Sequence, residues 1–195
     1  MKKIAYIFLI IFVFCSLVQA QKLSSNITKY YEFNLCASPH TIILSEKNNR
    51  INKGYVFTIL NKSNKRNKTE KKIVRKTKLD PAIVKKVIAE LNHLEIDKVD
   101  KTYKNDSVVY LDGDALQIKL LRNGIIDKFY FSEIYPAKSK KIENMPNMIK
   151  VQSWATLIDQ EFAIDDIFAK VKSKLHKGEY CYSLGAIYTQ CFTVK

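Results

Sequence analysis

The chain has 195 residues, 47% of them apolar, with 33 Lys and Arg against 19 acids and a formal charge of +14. That length and apolar fraction exclude a disordered or fibrous polypeptide and suit a domain with a proper core. The charge will draw polyanions nonspecifically, yet only Arg50, Arg66, Arg75 and Arg122 carry the planar fork that grips phosphate or carboxylate in two places.

A lysine excess accompanied by abundant Asn, Ile and Tyr reads first as the imprint of an AT-rich genome. The opening residues read as an export signal. Met1-Lys2-Lys3 is a positive head, residues 4–17 are almost wholly apolar, and Val18-Gln19-Ala20 offers small or aliphatic residues three and one before a cut. The apolar run holds 14 residues, short of the roughly 20 that cross a bilayer. Phe14, bulky ahead of Cys15, argues against a lipoprotein signal. Cleavage after Ala20 is expected to leave one α+β domain over residues 21–195. Its charge is +12, since Lys2 and Lys3 carry two of the +14. The lysine-only head points to a bacterial protein of the periplasm or medium, and no second apolar run offers a membrane span.

Residues 21–28 are polar and form a lead-in. Residues 30–36 alternate Tyr31, Phe33 and Leu35 against Tyr30, Glu32 and Asn34, the period of a strand with one wet face. Residues 40–45 and 55–61 are further strands, joined by the polar stretch 46–54, which ends in Gly54 and reads as a hairpin loop. A fourth strand is expected over 72–77. Asp80-Pro81 then opens the clearest helix: the carboxylate can cap the first-turn amides, and proline suits the first helical position. Val84, Val87, Ile88 and Leu91 recur at helical spacing, and the helix should end near His93.

Asn123-Gly124 is the dipeptide of a two-residue type I′ turn. It sets Arg122 against Ile125, Ile118 against Phe129 and Leu116 against Phe131. Lys119 then meets Lys128 on the other face, a mild repulsion tolerable only where that face is wet. From Ser153 helical spacing returns through Trp154, Leu157, Ile158, Ile164, Ile167, Phe168, Val171 and Leu175 to a stop at Gly178. Residues 161–163 leave one helix or two equally open. Two closing β-segments turn around Leu184-Gly185. The fold class is therefore α+β: an antiparallel sheet with two or three helices packed on one face and a C-terminal disulfide-linked hairpin.

With Cys15 removed, Cys36, Cys181 and Cys191 remain, enough for one disulfide in an oxidising compartment. Cys181 with Cys191 is preferred because both lie in the final hairpin; Cys36 with Cys191 is the rival. The leftover cysteine is expected to be a buried small apolar group.

The densest charge runs from Lys62 to Lys78 and includes Lys65, Arg66, Lys68, Lys71, Lys72 and Arg75, with Glu70 the one acid. It reads first as a solvated stretch that keeps an edge strand from aggregating. Second, it reads as an anion-binding surface for an acidic protein or a phosphate-rich envelope glycolipid. With no aromatic residue inside it, nucleic acid is an unlikely partner. Cys36 and His40 lack the further ligands of a zinc site. Asp112-Gly113-Asp114 lacks the ladder of a calcium loop and reads as a tight turn. Asp165-Asp166 belongs to a helix start or its exposed side. No cofactor motif and no nucleophile elbow is present, and the Asn-x-Ser/Thr triplets at Asn26, Asn61, Asn67 and Asn105 read as chance. The function expected is a non-enzymatic, exported binding or envelope-associated module of unspecified oligomeric state. The alternative is a small secreted hydrolase, which a pocket gathering two carboxylates, or Cys36 with His40, would favour.

Overall fold

The computed structural model describes residues 26–64, 69–100, 114–139, 142–184 and 188–195. The expected signal segment therefore lies outside the described residues, as do Lys65, Arg66, Lys68, Asp112, Gly113 and the tip of the last hairpin. Eight strands form one antiparallel sheet: β1 (Ile27–Asn34), β2 (His40–Lys47), β3 (Ile51–Asn64), β4 (Thr69–Lys78), β5 (Ala115–Arg122), β6 (Ile125–Ser132), β7 (Gly178–Leu184) and β8 (Tyr188–Val194). The helices are α1 (Pro81–His93), α2 (Pro146–Glu161) and α3 (Ile164–Lys172).

The sheet runs β6-β5-β1-β2-β3-β7-β8, and β4 pairs with β3 alone. It curves into a half-barrel, with more strand than a flat sheet under helices would carry. The long β3 organises it. Its first part pairs with β2, from Ile51↔Lys47 to Thr58↔His40. Beyond the start of β2 the same edge is taken over by β7, through Asn61↔Cys181 and Lys62↔Tyr180. Its other edge carries β4, from Tyr55↔Lys78 to Asn64↔Thr69.

The larger core joins inward residues such as Phe33, Ile42, Val56, Ile118 and Phe131 to Val84, Val87, Ile88 and Leu91 of α1 and Trp154 and Ile158 of α2. A smaller core of Leu60, Val171, Leu175, Tyr180 and Tyr182 lies where α3 meets β3 and β7. Asp80 caps α1, accepting from Ala82 N at 2.7 Å and Ile83 N at 3.4 Å. The Asn123-Gly124 turn has both residues at positive φ, 50° and 78°, and the register it fixes includes Ile118↔Phe129, Leu116↔Phe131 and Lys119↔Lys128. The facing lysines are relieved by β1, where Glu32 accepts from Lys119 at 2.6 Å.

Three sequence expectations are corrected. The β2–β3 connection shrinks to Asn48, Asn49 and Arg50; both asparagines take left-handed backbone, at φ 51° and 54°, which Asn tolerates well. Gly54 thus lies inside β3, where a Cβ would meet Val84 Cγ2 at 2.5 Å, so its missing side chain lets α1 sit on the sheet. The second helical stretch starts at Pro146, not near Ser153, and breaks at Ala163 (φ 46°) into α2 and α3. Finally, helix ends at Lys172 and Gly178 opens β7. A Cβ at Gly178 would meet Lys62 Cε at 2.7 Å.

The Cys181–Cys191 disulfide forms between residues directly opposite in the β7–β8 register, with their Cα atoms 4.1 Å apart. Cys36 is buried and outside any disulfide. Among the described residues no helix is long and apolar enough to cross a membrane.

Candidate functional site

Alternation along β4 sends Lys71, Ile73, Arg75 and Thr77 to the inner side, opposite Lys62, Leu60, Thr58 and Val56. Lys72, Val74, Lys76 and Lys78 go to the outer side, opposite Asn61, Ile59, Phe57 and Tyr55. Both faces therefore carry cations, and Lys71 directly faces Lys62, a juxtaposition that costs stability. α3 borders β4 across a hollow shared by Arg75, Lys76 and Thr77 with Ile167, Lys170 and Val171, and its Val171 is held in the smaller core.

Three hollows border β4. One of about 360 Å³ touches Lys71 through Arg75, with Lys62, Leu175, His176 and Tyr180 as its far wall. One of about 430 Å³ continues along Arg75, Lys76 and Thr77 against Ile167, Lys170, Val171 and Lys174. The third, of about 630 Å³, reaches Lys78 and is bordered by Arg50, Lys53 and Lys85. Together they touch every β4 residue from Lys71 to Lys78, and no Asp or Glu lines any of them. The cations lining them make no ion pair among the described residues. Lys62 donates to Lys177 O at 3.1 Å and lies 5.4 Å from the Tyr180 ring centroid, while Lys76 lies 3.8 Å from that of Tyr55. Such contacts hold an ammonium in place without neutralising it.

Of the sequence-derived anion-site residues, Lys71, Lys72 and Arg75 are brought to one groove, whereas Lys65, Arg66 and Lys68 lie outside the described residues. Sequence reasoning missed Lys170 and Lys174. Their four-residue spacing on and just past α3 looks like any exposed helical face, and only the packing of α3 beside β4 gives it meaning.

A separate cavity of about 220 Å³ is lined by Cys36, His40, Asp159 and Asp165 among others. It is therefore a pocket that gathers both Cys36 with His40 and two carboxylates. His40 is 3% exposed; its Nδ1 is 3.0 Å from Thr58 Oγ1, and Nε2 has no hydrogen-bond partner among the described residues. The Phe168 ring meets the imidazole edge-on at 5.3 Å. Burial pushes the His40 pKa down to about 4, against the opposing charge of Asp165. Lys138 donates to Asp159 at 2.8 Å and Asp165 at 2.7 Å. Burial works against its charge, but these two hydrogen bonds win and raise the Lys138 pKa. Both carboxylates are thus engaged by one ammonium. Asp114 accepts from the amides of Ala37 and Ala115, which ties the Cys36 loop to β5, and burial raises its pKa. Among the described residues no group of three or more potential ligands could hold a metal.

No family model, no curated protein and no solved structure matches this chain. The groove is therefore read from its own chemistry.

Proposed function

We propose that this protein is an exported, non-enzymatic binding module that takes an anionic partner, a protein or an envelope glycolipid, into the groove along β4. One observation carries the reading: the eight residues from Lys71 to Lys78 border three hollows with many cations and no carboxylate. Clustering unpaired like charges costs folding stability, and an anionic partner repays that cost on binding. The amino-terminal signal pattern and the Cys181–Cys191 disulfide support work outside the cytoplasm. Retention on immobilised heparin tests the reading. The protein should bind at low salt and elute at moderate salt, and the K71Q/K72Q/R75Q/K170Q/K174Q variant should flow through. Undiminished retention of that variant would make the groove an idle surface.

A second reading, a small thiol hydrolase, rests on the cavity that holds Cys36 and His40. The ring is neutral near pH 7, as a base must be. Against it stands the engagement of Nδ1 by Thr58 and of both carboxylates by Lys138. Iodoacetamide decides: alkylation of Cys36 in the folded protein, faster than in free cysteine, supports an activated thiol, and protection until unfolding removes the reading.

A further inference from the structure

Edge strands leave a row of backbone N–H and C=O groups without partners, and proteins rarely keep a long one open without a device to guard it. Here β4 is 10 residues long and pairs with β3 alone. Among the described residues nothing pairs with its other edge. The residues from Lys71 to Lys78, a stretch of roughly 26 Å at the rise of an extended chain, each border one of the hollows. At Arg75, Lys76 and Thr77 the strand shares a hollow with Ile167, Lys170, Val171 and Lys174.

We infer that an extended acidic polypeptide segment binds here by adding to β4 as a further strand, an inference that rests on the anionic-partner reading above. Backbone hydrogen bonds supply the affinity, and alternate side chains supply the selection. Inward-pointing residues of the added strand meet Ile167 and Val171 with Arg75, Lys170 and Lys174 around them. Outward-pointing residues meet the row of Lys72, Lys76 and Lys78. Acidic side chains are satisfied on either face. The same charges reject a second copy of this chain, since β4 against β4 would set lysine upon lysine. The lysines therefore discriminate between partners as well as guard the edge.

The test uses capped peptides as long as β4, alternating Glu and Val, with immobilised heparin as the reference anion. Three share one charge pattern: one unmodified, one N-methylated at its odd amides, one at its even amides. An added strand turns alternate N–H groups towards its neighbour, so one methylation pattern should weaken binding about tenfold or more and the other much less. The unmodified peptide should also slow hydrogen exchange along β4. Equal binding by all three overturns strand addition and leaves the anion groove standing. Heparin binding without any peptide binding has the same meaning. Failure of heparin and every peptide sinks both readings.

Discussion

His40 shows how one buried side chain ties this fold to pH. Burial keeps the ring neutral, with its pKa near 4 against an ordinary 6.5. Between those values the unfolded chain binds a proton that the folded one refuses, so stability is complete above pH 6.5 and falls as pH drops towards 4. The loss amounts to about 3 kcal/mol over that window. Urea titrations at stepped pH should show it in the parent and not in H40Q, whose carboxylates are those of the parent; parallel curves for the two proteins would mean the ring is already charged. Gly54 makes a different demand. With Val84 Cγ2 and Leu79 Cδ1 at 2.5 and 3.0 Å from an added Cβ, G54A must displace the side chains that pack over the glycine. A loss of about 1–3 kcal/mol in urea midpoint measurements is expected. Sequence pattern placed this glycine in a loop because polar residues surround it; only the helix packed above it explains why a side chain is forbidden.

The β7–β8 hairpin is the element on which the groove leans. It joins the sheet through Asn61↔Cys181 and Lys62↔Tyr180, and its Tyr180 and Tyr182 complete the smaller core with Leu60, Val171 and Leu175. Closing a ten-residue separation by Cys181–Cys191 should stabilise the hairpin by roughly 2–3 kcal/mol. In C181S/C191S, hydrogen exchange should rise in β7, β8 and α3 while β1, β2, β5 and β6 stay protected, and groove binding should weaken. Uniform loss of protection would show that the two cores melt as one. This hairpin was legible in advance, as were α1 and the β5–β6 pair. Asp80-Pro81, Asn123-Gly124 and two cysteines in a short tail are local signals whose geometry needs no distant partner. The start of α2 was not. Gln152 sits buried in its first half because it donates to Tyr135 O at 2.9 Å and accepts from Glu143 N at 3.0 Å, partners that no helical period reveals. The break at Ala163 falls in the 161–163 stretch where the sequence left one helix or two open, and its left-handed backbone decides for two.

At the scale of the whole molecule, what matters is where the charge goes. An antiparallel α+β chain with an excess of lysine follows from composition and pattern. The order that puts β1 between β2 and β5, and ends β3 against β7, comes from pairings far apart in sequence. Those pairings leave β4 as an open edge beside α3, and so turn scattered lysines into a lined groove. The alternative is that anion binding reflects only the net charge of +14. Two variants separate these accounts. K71Q/R75Q and K29Q/K128Q each remove two charges, the first from the groove and the second from β1 and β6, towards the other end of the sheet. If net charge governs, both lose affinity for heparin equally, by a small factor that salt erases. If the groove governs, K71Q/R75Q alone should lose about tenfold or more at low salt. The slope of log affinity against log salt should then fall by nearly two for that pair and stay unchanged for the other.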